Sequence, residues 1–228
     1  MRHSDGHQVT HVPRPSSRVA CMTSLKGLIL DFGGVLTTPL APAALAFEKR
    51  AGLPEGALIN ALYLDEEMVR HTEELERGAL TQAQWNAEAA ARLGIQAENL
   101  MGRIFADLRP ESTVIAAAAA ARRAGVRVGI LSNSVGRTPW DLYAGYDLDY
   151  DAVVISEDCG MRKPEPEIFR LALDRLGLPA ELCVFVDDTQ RYLPPAAALG
   201  LTAVHATDPG RTVAELERIF GMELTVSA

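Results

Sequence analysis

Asp31, Ser132-Asn133-Ser134, Lys163 and Asp187-Asp188 are the residues of this 228-residue chain best equipped for chemistry. The three carboxylates are hard oxygen ligands of the kind that hold Mg2+. Lys163 offers a positive charge, and the serine and asparagine offer donors, to a phosphate. Each has a plainer reading when taken alone. An Asp after a strand often closes a turn, an Asp pair opens a helix or sits in water, and Ser-Asn is a common turn pair. Their placement joins them, because each set comes shortly after a short apolar run.

Those runs are residues 27–30, 126–131, 152–155, 183–186 and 202–205. Strands that are apolar throughout are buried on both faces, which implies a parallel sheet with helices on either side. Helical stretches at 111–124, 165–176, 193–199 and 212–220 lie between or after the runs. Gly125, Gly177 and Gly200 stand where helix C-termini need them, and Pro164 and Pro166 stand at a helix start. The expected fold class is α/β, a doubly wound (Rossmann-like) parallel sheet. Ligands of such sheets sit beyond the C-terminal ends of the strands, where the chemical residues fall here.

One segment breaks this rhythm. Residues 39–109 hold no convincing strand and read as four or five helices. Thr81 and Gln84 have capping-box spacing, with Leu80 and Trp85 as a hydrophobic staple, and Asp65-Glu66-Glu67 puts negative charge at another helix start. The segment reads as an all-α cap domain inserted after the first strand, with Pro39, Pro42 and Pro110 at its joints. The core is then 25–38 plus 110–228. Residues 1–24 carry His3, His7 and His11 among Pro, Ser and Arg and read as a disordered tail. The histidine spacing without helix-forming neighbours is poor support for a metal tract. Met22 precedes the first strand, so residues 1–21 read as an upstream start.

Net charge of −8 argues against a general nucleic-acid binder. No apolar run approaches the ~20 residues that cross a bilayer, so no membrane association is expected. Three cysteines, Cys21, Cys159 and Cys183, without a CxxC pattern read as reduced thiols in a cytoplasmic protein. The choice between monomer and homodimer stays open.

With these motifs in view, the chain resembles the haloacid dehalogenase-like (HAD) hydrolases. DFGGVLT (31–37), ILSNS (130–134), RKPEP (162–166) and VFVDD (184–188) are similar to the family's four motifs, in order. The helical insert resembles its type 1 cap. ERGALTQAQW (76–85) and CGMRKPEPEIF (159–169) look like the subgroup of the N-terminal phosphatase domain of soluble epoxide hydrolase. The resemblance implies a Mg2+-dependent phosphatase of a small phosphorylated metabolite. It implies Asp31 as nucleophile, Ser132 and the Asn133 N–H as phosphate binders with Gly34, and Lys163 as the neutralising cation. It implies Mg2+ held by Asp31, Asp188 and the Gly33 carbonyl, with Asp187 close behind.

The resemblance has one gap. Active phosphatases of the family usually carry Asp where this chain has Gly33, and that Asp acts as general acid and base. Glu66, Glu67, His71 and Glu73 of the insert, and Asp158, are candidate substitutes, and Tyr192 could reach the pocket. A non-catalytic binding protein is the alternative. A 2-haloacid dehalogenase fits less well, because those enzymes need no metal and lack the Asp187-Asp188 pair.

Overall fold

The computed structural model describes residues 25–146 and 149–224. The expected tail, and with it Cys21 and the three N-terminal histidines, lies outside the described residues. Five strands form one parallel sheet: β1 (Gly27–Leu30), β2 (Arg127–Ser132), β3 (Ala152–Ile155), β4 (Cys183–Asp187) and β5 (Thr202–His205), in the order β3-β2-β1-β4-β5. β1 is central, with Leu30 beside Ile130 of β2 and Val186 of β4. The sheet carries the α/β architecture that its apolar runs predict.

Strand side chains alternate between two cores. Leu28, Leu30, Val128, Ile130, Val184 and Val186 face α6 (Ser112–Arg123) and α10 (Pro209–Phe220). Ile29, Leu131, Val154 and Phe185 face α8 (Pro166–Leu176) and α9 (Leu193–Ala198). α10 begins three residues before the predicted start, because Asp208 accepts from the Arg211 N–H as N-cap and Pro209 suits the first turn. A one-turn helix, α7 (Ser156–Cys159), follows β3 and had no sequence expectation.

Between β1 and β2 the chain forms α1 (Leu40–Ala51), α2 (Ala57–Tyr63), α3 (Glu66–Glu76), α4 (Gln82–Leu93) and α5 (Leu100–Ile104). These helices share a third core built on Phe47, Leu58, Met68, Leu75, Trp85 and Leu100. The Thr81–Gln84 capping box is present, and the Asp65 carboxylate accepts from the Met68 N–H. The two ends of the block are zipped together. Thr38 N donates to Arg109 O at 2.8 Å and Glu111 N to Leu36 O at 2.9 Å, so entry and exit share one joint. Gln82 ties the block to the loop after β2, donating to the Val135 and Trp140 carbonyls at 2.8 and 2.9 Å. No helix among the described residues is long and apolar enough to cross a membrane.

Candidate active site

Parallel pairing brings the strand ends onto one edge. Asp31 follows β1, and its N–H still donates to Val186 O of β4 at 2.9 Å, which fixes the residue beside Asp187-Asp188. Asp31, Asp187 and Asp188 each place a carboxylate oxygen within 4.8 Å of the others. Lys163, on the loop between α7 and α8, reaches into this group with Nζ 2.8 Å from Asp31 Oδ1 and 2.6 Å from Asp187 Oδ2. Its side chain is 1% exposed, so the charge is held by the carboxylates and not by water.

Hydrogen bonds divide the carboxylates by task. Asp31 Oδ1 accepts from the Phe32 N–H at 2.7 Å as well as from Lys163, while Oδ2 takes no hydrogen bond among the described residues. The carboxylate's rotation is thereby set, with one oxygen left open. Asp187 has both oxygens engaged, by Lys163 and by the Thr189 N–H at 2.8 Å, and it anchors the lysine. Asp188 accepts on Oδ1 from Thr189 Oγ1 at 3.1 Å and presents Oδ2 toward Gly34.

Burial pushes the Asp31 carboxyl up to about 7, with Lys163 pulling it down and Asp187 pushing it further up. Burial and the neighbouring Asp187 also raise Asp188. Burial works against the charge on Lys163, but Asp187 and Asp31 outweigh it and hold the ammonium above its ordinary range. Three carboxylates against one lysine leave an excess of negative charge in a desolvated place. A divalent cation relieves this imbalance, and the all-oxygen donor set suits Mg2+. The donors present therefore fit the metal.

Gly33 lines the cavity over Asp31, and among the described residues no hydrogen bond engages its carbonyl. Gly34 has φ +78°, and a Cβ there would lie 2.3 Å from Asp188 Oδ2. Its N–H donates to Thr37 Oγ1 at 2.9 Å, which leaves no donor for the phosphate contact expected of it. What requires glycine here is the backbone angle and the close approach of Asp188. Gly34→Ala is expected to swing the Asp188 carboxylate aside. Mg2+ affinity measured by calorimetry should fall about tenfold or more, with ~1–2 kcal/mol of backbone strain added. An unchanged affinity would contradict this role.

Ser132 ends β2 with its hydroxyl accepting from Tyr143 OH at 3.0 Å. Burial raises the Tyr143 phenol well above its ordinary value, so it remains a donor. The Asn133 side chain grips the Lys163 backbone from both sides, accepting from Lys163 N at 2.8 Å and donating to Lys163 O at 3.1 Å. Asn133 thus positions the lysine, a task beyond the backbone N–H expected of it.

The candidate acids separate. Glu73 and Tyr192 line the site cavity. Glu67 pairs with Arg92 and Asp158 with Arg137, while neither Glu66 nor His71 lines the cavity. Glu76, absent from the candidates, is the insert residue that reaches furthest into the polar network. It accepts from Arg162 Nε and, at 3.2 Å, from Asn133 Nδ2. Burial raises its pKa against the pull of Arg162. Its sequence signals were its place near the end of an acidic stretch and at the head of ERGALTQAQW (76–85), neither of which points to Arg162 or Asn133.

The family model described as "Hydrolase: haloacid dehalogenase-like hydrolase" matches residues 25–200. The sesquiterpene phosphatase astK of Aspergillus oryzae is 25% identical over 207 residues, covering 87% of this chain and 98% of that protein. Bifunctional epoxide hydrolase 2 of Rattus norvegicus is 25% identical over 225 residues, covering 88% of this chain; the chain spans only 40% of that protein's length. A HAD family enzyme of Bacteroides thetaiotaomicron, solved as a magnesium complex, shares the fold with a TM-score of 0.62 at 21% identity, covering 86% of this chain and 99% of that one. With four motifs at four strand ends and a family match across most of its length, this chain belongs to the haloacid dehalogenase-like hydrolases.

Proposed function

We propose that the protein is a Mg2+-dependent phosphatase acting on a small phosphorylated molecule through a phosphoryl-Asp31 intermediate. The observation that carries this reading is the Asp31 carboxylate, oriented by Lys163 and Phe32 with Oδ2 open, beside Asp188 in a site of excess negative charge. Asp31, Asp188 and the Gly33 carbonyl would hold Mg2+, with Asp187 behind them anchoring Lys163. Bound there, the ion offsets the repulsion between carboxylate and phosphate and polarises the phosphoryl oxygens.

In the first step the Asp31 carboxylate attacks phosphorus in line, and the bond from phosphorus to the ester oxygen breaks. The Ser132 hydroxyl and the Asn133 N–H hold the phosphoryl oxygens, while Lys163 balances charge on Asp31. The leaving oxygen draws its proton from solvent, since Gly33 has none to give. In the second step water attacks the phosphoryl group, releasing inorganic phosphate and restoring the Asp31 carboxylate. Residues 39–109 serve as a cap over this edge, contributing Glu73 and Glu76. A cytoplasmic setting completes the reading and accords with the free thiols of Cys159 and Cys183.

The named phosphatase relative supports this reading. Gly33 favours a second one, binding of a phosphoester without turnover, because the usual proton-transfer group is missing. Phosphate release from a panel of phosphomonoesters separates the two. The expected result is release with Mg2+ and its loss in EDTA. Absence of release from every ester, in folded protein that binds Mg2+, would favour binding without turnover.

A further inference from the structure

Tyr143 meets the site from behind. Its hydroxyl donates to Ser132 Oγ at 3.0 Å, yet the tyrosine does not line the site cavity, whereas Ser132 does. Two contacts from separate parts of the chain fix its ring. Phe32 meets it edge-on with centroids 4.8 Å apart, and the Arg137 guanidinium lies over it at 5.9 Å. Arg137 is held in turn by Glu157 and Asp158.

The loop that carries Tyr143 is braced as well. Gln82 of the helical block donates to the Val135 and Trp140 carbonyls and accepts from the Trp140 N–H at 2.9 Å. Asp141 Oδ1 accepts from the Tyr143 N–H at 2.9 Å. Ring and backbone are thus both tied down, and the phenol reaches Ser132 in a fixed place.

A serine hydroxyl has one proton and two lone pairs, and it turns to suit its partners. At Ser132 the phenol takes one lone pair. The Ser132 proton then has a poor acceptor among the described residues, the Asn133 carbonyl at 3.3 Å. An O–H donor ordinarily sits ~2.5–3.0 Å from its acceptor. A phosphoryl oxygen in the cavity is charged and a stronger acceptor. Ser134 is the phenol's other hydrogen-bond partner, and its Oγ already accepts from the Gly136 N–H at 3.0 Å. That leaves Ser132 as the freer acceptor for the phenol proton.

We propose that Tyr143 is a positioning residue for phosphate binding: its phenol donates to Ser132 Oγ and so turns the Ser132 proton into the cavity, toward a phosphoryl oxygen. This rests on Ser132 as a phosphate contact, and through it on the phosphatase reading, but it can be measured without turnover. The probe is inorganic phosphate, bound in the presence of Mg2+ and followed by calorimetry. Native protein, Tyr143→Phe, Ser132→Ala and the double variant are compared. Tyr143→Phe keeps the ring against Phe32 and removes only the donor. It should weaken phosphate binding about three- to tenfold, the range of one hydrogen bond. Added to Ser132→Ala it should cost nothing further, because its effect passes through the Ser132 hydroxyl. Mg2+ affinity without phosphate should be unchanged.

A loss of equal size in both backgrounds, no loss in either, or a weakened Mg2+ site would overturn the inference, since the tyrosine would then act through packing or not at all. Phosphate release from p-nitrophenyl phosphate is measured on the same proteins. Coupling between the two positions with no release by the native protein would sink the phosphatase reading and leave Tyr143 serving a binding site. Native protein that neither binds nor releases phosphate would sink both, and that result is read before any variant is made.

Discussion

Asp31→Asn is expected to abolish phosphate release, by about 10³-fold or more, in a protein that remains folded. The substitution keeps the shape of the side chain and removes only its nucleophilic oxygen and charge. Lys163 keeps Asp187 as a partner at 2.6 Å, so the buried ammonium is not stranded. Folding should therefore survive, and the charge balance explains why. The Asp31 carboxyl is raised from its ordinary value of 3.8 to about 7, burial being the main cause. A carboxyl raised by folding favours the native state while protonated, and that contribution fades as pH climbs through the raised value. In EDTA the native protein should thus lose thermal stability between pH 3.8 and about 7, and Asp31→Asn should show less of that loss, the remainder coming from Asp188 and Glu76, which burial also raises. Retention of full phosphatase activity by the Asn variant would remove Asp31 from the chemistry.

Gly33→Asp should move the rate in the opposite direction. A positioned general acid and base contributes ~10²–10⁴-fold, and Gly33 leaves this chain without the usual one. The position can take a side chain. The atoms nearest an added Cβ are the Leu40 methyls at 3.4 and 3.7 Å and its Cγ at 3.8 Å, which is ordinary contact. The new carboxyl would join the cavity that Asp31 lines, where a leaving oxygen and then a water would be expected. For an alkyl phosphate, whose leaving group needs a proton, the expected gain in steady-state rate is about 10²-fold. For p-nitrophenyl phosphate the leaving group needs none, so the native protein should show a burst followed by slow turnover, and the Asp variant should speed the slow phase. An unchanged rate on both substrates would mean that another group already moves the proton. Glu76 and Glu73 are the cavity residues to examine next.

The parts legible in the sequence were those written in local patterns. Runs that are apolar throughout became β1 to β5, and the capping box at Thr81 and Gln84 marked a helix start that the structure reproduces. The strand-end carboxylates could be grouped because parallel strands share one C-terminal edge. What escaped depends on contacts between distant segments. Tyr143 reaches Ser132 from a loop, and Glu76 meets Arg162 across 86 positions of chain. Neither residue carries a spacing that announces its partner. Gly34 shows the limit from another side. A glycine after Asp31 reads naturally as a phosphate loop, but its N–H serves Thr37 and its missing Cβ serves Asp188. A cavity lined by Leu40, Leu58, Leu62 and Met101 was equally hidden, since nothing in their spacing shows that the packed helices leave space between them.

The central claim is that Asp31 itself takes the phosphoryl group. It is tested most directly by mixing the protein with p-nitrophenyl phosphate and Mg2+, quenching in acid during the burst, and mapping peptides by mass spectrometry. Without a base at position 33 to activate water, the intermediate should accumulate, so the account predicts a phosphoryl group on the peptide containing Asp31 and none in Asp31→Asn. Sustained phosphate release with that peptide unmodified throughout would contradict it.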